Sequence, residues 1–482
     1  MSEVLQRFKP LFSPRSITFI GASKDPMKWG FIILTNLING GFEGKIYPVN
    51  PRESEILNLK VYHSIDEVPE VTDLAVIVTP PSSVPQVIED CSRKGIKAGV
   101  VITAGFAEVG EEGKRLQLQM ADIARRSRMI LVGPNCNGIV SPASNLYPWM
   151  PPGVYPKPGP LAIASQSGNV GVSVISRGMN RGIGFSYFVG SGNEAHLTLA
   201  DFIEFFGEDP ETKVILSYVE GIREGKRFLE VAKRVTQTKP IVMIKAGDTT
   251  AGARAAFSHT AALSGSESAF AAAVKQAGII RAGDIYELFD IGAAFIRQPL
   301  PKGKRVGIVT DGGGWGVLAA DACAKAGLEV VQLPDEIIKE MDGFLPPWWS
   351  RGNPVDLVAG MRQGDVNNAI EVLLRCPLVD GVIFLGMRGS LAMQDGGSSP
   401  LLNIVTSSSG DFFSEIIQMM DEYGKPIILA SDTSFGNMDM SKGLASVLGD
   451  KGLVCYALPD EAAVAFSSLA QYGEYLRENG YQ

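Results

Sequence analysis

At 482 residues the chain is too long for one hydrophobic core and predicts about three domains of about 150 residues each. A net charge of −8 argues against a nucleic-acid or membrane-surface role, and no uncharged apolar run reaches the about 18 residues that span a bilayer. Cys91, Cys136, Cys323, Cys376 and Cys455 are singletons, which excludes a disulfide framework or a paired-cysteine zinc site, and Met1 to Arg15 has no apolar core of the secretory kind. A soluble, cytoplasmic protein is expected. Its 54 glycines exceed the usual share of about 7% and point to many tight strand-to-helix turns.

In chain order, Ser16 to Ile20 is a short apolar run closed by Gly21-Ala22-Ser23, and Trp29 to Ile38 follows with helical spacing. Lys45 to Val49, Leu74 to Thr79, Ala98 to Thr103 and Met129 to Val132 repeat the apolar run, each followed by polar, Gly or Pro residues. Strands alternating with helices predict an α/β domain with a parallel sheet, whose ligands bind at the carboxyl ends of the strands. Those ends read Gly21-Ala22-Ser23-Lys24, Asn50-Pro51, Thr79-Pro80-Pro81, Ala104-Gly105 and Gly133-Pro134-Asn135-Cys136. Such small, turn-forming residues let backbone amides approach a nucleotide-type ligand closely. The full G-x-G-x-x-G fingerprint is missing, which counts against a nicotinamide-dependent oxidoreductase.

This first domain is expected over 1–140. Seven prolines within 141–160 predict a stiff, extended linker. A second βα series, expected over 161–298, opens with Leu161 to Ala164 running into Ser165-Gln166-Ser167-Gly168-Asn169. Free amides and hydroxyls at that helix start suit an anion, although Ser165 and Ser167 also suit simple capping. Further strands are expected at Gly184 to Val189, Lys213 to Val219, Pro240 to Ile244 and Gly278 to Arg281. Glu220 follows the second of these, either as a solvated turn acid or as a carboxylate able to orient an imidazole. A short linker from Gln298 to Gly303 precedes a third domain over 304–482, which restarts with Val306 to Thr310, Asp311-Gly312-Gly313-Gly314-Trp315 and a helix through Ala326. Arg388 and the stretch around Asp395 fall in a loop of this domain.

The chain has three histidines, and His259 lies in Ser258-His259-Thr260-Ala261-Ala262-Leu263-Ser264-Gly265, ahead of a helix expected from about Ser266. A loop imidazole can be an ordinary surface group, a base, a ligand or a nucleophile. Taken with the residues above, that octet resembles the α subunit of the nucleoside-diphosphate-forming acyl-CoA synthetases, the ADP-forming acetate–CoA ligases related to succinyl-CoA synthetase, over essentially the whole chain. The resemblance implies a Rossmann-like CoA-binding domain followed by two flavodoxin-like, doubly wound ligase domains. It implies that His259 carries a phosphoryl group, that Glu220 hydrogen-bonds it, and that Ser165, Gln166, Ser167 and Gly168, with Gly312, Gly313 and Gly314, receive phosphate. It implies a CoA site lined by Gly21, Ser23, Lys24, Asn50, Pro51, Thr79, Ala104 and Asn135. The family's ATP-grasp domain is missing from the chain, so ADP or ATP and Mg²⁺ would bind a separate ATP-grasp β subunit in a hetero-oligomer, expected as α2β2. The implied substrates are a small carboxylic acid, CoA and phosphate. Asp311 departs from the family's usual glycine-rich loop, and Trp315, Trp348 and Trp349 suggest an acyl group larger than acetyl. The alternative is a CoA-binding regulatory protein that does not turn over.

Overall fold

The computed structural model describes residues 2–247, 249, 251–252, 267–358, 363–386, 400–431 and 447–481. His259 with its octet, Arg388 and the stretch around Asp395 lie outside them.

The chain starts with α1 (Glu3–Phe12), capped by Ser2, whose hydroxyl accepts from Leu5 N at 3.2 Å. There follow β1 (Ser16–Ile20), α2 (Trp29–Asn39), β2 (Lys45–Val49), a hairpin of β3 (Glu55–Ile56) and β4 (Leu59–Lys60), β5 (Leu74–Ile77), α3 (Val84–Lys94), β6 (Ala98–Val101), α4 (Glu111–Ser127) and β7 (Ile130–Val132). The five longer strands form a parallel sheet in the order β2-β1-β5-β6-β7. β1, β5 and β6 are buried at every residue, which is why they read as continuous apolar runs and not as alternations. The winding reverses between β1 and β5, opening a crevice at their carboxyl ends.

The second sheet comprises β8 (Gly138–Val140), β9 (Pro158–Ser165), β10 (Phe185–Gly190), β11 (Val214–Val219), β12 (Ile241–Lys245) and β13 (Ile280–Arg281), in the order β13-β12-β11-β9-β10-β8. Its helices are α5 (Gly168–Asn180), α6 (Leu199–Glu208), α7 (Gly225–Val235) and α8 (Glu267–Gln276). The winding reverses between β9 and β11, so the Ser165 and Glu220 turns emerge side by side. The sheet is not wholly parallel, because β8 pairs antiparallel with β10 and covers its open edge. Residues 138–140, expected to close the first domain, thus serve the second sheet.

The proline-rich stretch is packed down instead of bridging freely. Trp149 is fully buried against Phe188, and Asn36 Nδ2 donates to the carbonyls of Trp149 at 2.8 Å and Pro151 at 2.9 Å. α1 also leaves the first sheet, and its Phe8 and Phe12 stack on Phe205 of α6, both with ring centres 4.8 Å apart. One continuous core serves both sheets, which belong to a single compact unit of Met1–Ser176 and Gly184–Arg281.

A second compact unit consists of Arg177–Ile183 and Ala282–Gln482. It holds α9 (Ile285–Ala294), β14 (Arg305–Thr310), α10 (Gly313–Lys325), β15 (Glu329–Val330), α11 (Asp335–Asp342), β16 (Val355–Asp356), α12 (Gln363–Arg375), β17 (Gly381–Leu385), α13 (Pro400–Tyr423), β18 (Ile427–Ala430), β19 (Cys455–Tyr456) and α14 (Pro459–Glu478). Its parallel sheet runs β15-β14-β17-β18-β19, with β16 also pairing with β14. α9 is tied into this unit by Arg177, which grips Asp290 through two hydrogen bonds of 3.0 and 2.5 Å. The architecture is α/β with three successive sheet domains, two of them sharing one core.

Candidate active site

A cavity of about 1110 Å³ opens in the first unit at the carboxyl ends of β1, β2, β5 and β6. Gly21, Ser23, Asn50, Pro51, Thr79, Ala104 and Asn135 all line it, as the strand-end reading expects. Gly21 has φ +92°, and a Cβ there would stand 2.4 Å from the Val78 carbonyl oxygen, so only glycine permits this close turn. Asn50 Nδ2 donates to the Ala22 carbonyl at 2.7 Å, locking the β1 and β2 ends together. The Thr79 hydroxyl is buried without a hydrogen-bond partner among the described residues. Lys24 is not in the lining, and its ammonium is paired with Glu53 at 2.8 Å.

The sequence reading missed Lys28, Trp29, Arg52 and His63, which line the same cavity. For Lys28, Trp29 and Arg52 their positions just past Lys24 and Asn50 were the available signal, whereas His63 comes from beyond the β3–β4 hairpin and carried none. Cys136 also lines it, but burial pushes its thiol up to about 12, so it stays protonated and unreactive.

The same cavity is lined by Gln166, Ser167, Gly168 and Asn169 at the start of α5, and by Gly192 and Asn193 after β10. Ser165 is fully buried behind them and donates to the Ser167 carbonyl at 2.6 Å, so its hydroxyl braces the turn. A Cβ on Gly168 would fall 2.2 Å from Asn137 Nδ2, which explains the glycine at this helix start. Gln166 Oε1 accepts from Glu220 N at 2.6 Å and Gly221 N at 3.1 Å, while Nε2 donates to the Gly221 carbonyl at 2.8 Å. Glu220 is buried at 5% exposure, with the Tyr218 hydroxyl donating to it at 3.4 Å; burial and that carboxylate push the Tyr218 hydroxyl up to about 12.

Asn193 knits the two halves of the cavity together. Its Nδ2 donates to Glu108 Oε2 at 2.5 Å and Gln117 Oε1 at 3.0 Å, and its Oδ1 accepts from Asn135 Nδ2 at 3.2 Å. Glu108 in turn accepts from the amides of Gly105 at 2.6 Å and Phe106 at 3.0 Å. Burial opposes ionisation of Glu108, but these hydrogen bonds outweigh it and hold its carboxyl below the ordinary value. Next in the chain, Glu194 is 2% exposed, and burial raises its carboxyl above the ordinary value, partly offset by hydrogen bonds from Ser191 and Gln166.

In the second unit, Gly312, Gly313 and Gly314 stand at the start of α10 as expected. A Cβ on Gly313 would lie 2.8 Å from Asp356 Oδ2, so this helix start already faces a carboxylate. Trp349 is not available to an acyl group: it is 3% exposed and donates to Asp342 at 2.8 Å within the core.

Family profiles described as CoA binding domain, Succinyl-CoA ligase like flavodoxin domain and Ligase-CoA domain match residues 15–142, 158–295 and 306–468. The chain is 40% identical to the acetate–CoA ligase [ADP-forming] II subunit alpha of Pyrococcus furiosus, over 95% of this chain and 96% of that one. It is 34% identical to the 4-hydroxybutyrate–CoA ligase [ADP-forming] of Nitrosopumilus maritimus, over 98% of this chain and 65% of that one. Among solved structures, the dinucleotide forming acetyl-coenzyme A synthetase 1 of Ca. Korarchaeum cryptofilum, in complex with phosphate and ADP, superposes with a TM-score of 0.84 at 34% identity, covering 98% of each chain. The chain therefore belongs to the family of ADP-forming acyl-CoA synthetases and corresponds to their α subunit.

Proposed function

We propose that this α subunit carries acyl transfer from CoA to phosphate within one cavity, and phosphoryl transfer through His259. The reaction is acyl-CoA plus phosphate plus ADP giving carboxylate, CoA and ATP, reversibly. The observation that carries the reading is that the strand-end turns of the first sheet and the Gln166 to Asn169 helix start line the same cavity. A CoA lying along the Gly21, Asn50, Thr79 and Ala104 turns directs its thioester toward the α5 amides, where a helix N-terminus stabilises phosphate.

A phosphate oxygen attacks the thioester carbonyl and the C–S bond breaks. CoA leaves as a thiolate and takes up a proton, while the acyl phosphate stays at the α5 start. A ring nitrogen of His259 then attacks phosphorus and the P–O bond to the acyl group breaks, releasing carboxylate. Glu220 accepts the other ring N–H, fixing the tautomer and stabilising the charge that develops. ADP finally takes the phosphoryl group, the P–N bond breaks, and ATP forms. The nucleotide and Mg²⁺ belong in this reading to an ATP-grasp β subunit, with two copies of each subunit in the assembly. Since the Gly313 start faces Asp356, the proposal assigns the phosphate first to α5.

The test is incubation of the chain with its co-expressed partner, radiolabelled ATP and Mg²⁺, in parallel with His259→Ala. Acid-labile, base-stable label that requires both His259 and the partner is expected. CoA binding without any label would overturn the reading in favour of a regulatory CoA-binding protein.

A further inference from the structure

We infer that Gln166 is a positioning residue for Glu220, holding the carboxylate where the histidine needs it, and not a ligand of phosphate. The inference rests on the reaction proposed above. Gln166 follows β9 and Glu220 follows β11, the two strands between which the winding of the second sheet reverses. The Gln166 amide N donates to the Tyr218 carbonyl at 3.1 Å, extending the ladder one step beyond the strands. Its side chain then clasps the next turn: Oε1 accepts from Glu220 N at 2.6 Å and from Gly221 N at 3.1 Å, and Nε2 donates to Gly221 O at 2.8 Å. Both backbone amides of the turn and its carbonyl are thereby fixed by one planar group.

A neutral carboxamide supplies an acceptor for two amides and a donor for a carbonyl at once. Glutamate has the same shape but, when ionised, offers acceptors alone, and its charge would face the Gly221 carbonyl oxygen. Protonated, it regains an O–H donor for that carbonyl while its other oxygen still accepts from both amides. The buried Glu194 accepts from the Ser191 hydroxyl at 2.8 Å and from the Gln166 side chain, so an ionised glutamate at position 166 would meet this carboxyl group as well. Glu220 itself is 5% exposed, so its carboxylate follows its backbone and has little freedom to compensate for a shifted turn.

This makes a chemical signature that a space-filling role would not give. In the complex with the partner subunit, the rate of acid-labile labelling from ATP is measured for wild type, Gln166→Glu and Gln166→Ala between about pH 5.5 and about pH 8.5. Gln166→Glu is expected to be slower than wild type by about 10-fold or more at the alkaline end, as for loss of an orienting partner, and to recover toward wild type as pH falls. Gln166→Ala is expected to be slower by a similar factor, with a ratio to wild type that does not change with pH. A Gln166→Glu ratio that stays flat across the range, or a Gln166→Ala rate within about twofold of wild type, overturns the inference. Should Gln166→Glu not fold, Gln166→Met, which keeps the volume but cannot clasp the turn, takes its place: a rate as slow as that of Gln166→Ala is expected, and a rate within about twofold of wild type overturns the inference. A wild-type complex that takes no label defeats the underlying reaction as well, which separates that failure from this one.

Discussion

Asn193→Ala removes the side chain that joins the turns of the first sheet to the loop after β10. Three hydrogen bonds are lost: one to the Glu108 carboxylate, one to Gln117, and one accepted from Asn135. A neutral bond contributes about 1 kcal/mol and one to a charged group about 2, so the loss is about 4 kcal/mol in all. Gln117 is only 6% exposed, and solvent cannot readily replace its lost partner. If all of it falls on folding, the expected fall in Tm is roughly 8 °C. Glu108 holds the Gly105 and Phe106 amides, and Asn135 lines the cavity, so part of this loss appears as weaker CoA binding. If a third of it does, the CoA dissociation constant rises about tenfold. Calorimetric titration with CoA and thermal denaturation read the two effects separately. A variant that melts within about 1 °C of wild type and binds CoA equally well would refute the reasoning that Asn193 organises the cavity.

Glu194→Gln is expected to stabilise the protein at neutral and alkaline pH. The raised carboxyl favours folding below its unfolded value of about 4.3, and that contribution is lost as pH rises through the folded value. The variant should therefore melt about 2 °C or more above wild type at alkaline pH, with the gap closing toward pH 4; equal melting at every pH would contradict the assignment. Phe8→Ala empties the aromatic stack on Phe205, and a loss of about 3–5 kcal/mol is expected in urea unfolding. A loss below about 1 kcal/mol would mean that α1 is dispensable.

The parallel strands and their glycine turns were legible because strands buried on both faces leave unbroken apolar runs, and the turns after them must be small. Gly21, Asn50 and Thr79 fall where that reasoning placed them. α1 was not legible: it is ten residues long, carries Pro10, and owes its position to Phe205, a partner nearly two hundred residues away. β8 looked like the end of the first domain because the proline-rich stretch behind it reads as a linker, whereas its place is set by the open edge of β10. The task of Gln166 was also hidden. A Ser-Gln-Ser-Gly turn suggests an anion site, but which side chains face the cavity and which clasp a neighbouring turn depends on strand order. Lys24, which the resemblance puts in the CoA site, lies outside the cavity lining and pairs with Glu53, a partner that its place in the sequence does not announce.

The placement of α1 has a consequence for how the chain is made. Its apolar face emerges well before Tyr187, Phe202 and Phe205, which cover it and follow only after the whole first sheet has been completed. The helix must wait as an uncovered amphipathic segment, so it closes the unit and does not nucleate it. Fragments that stop before α6 would carry that greasy face unshielded and should be prone to self-association, whereas fragments that begin at β1 would leave the complementary patch on α6 bare.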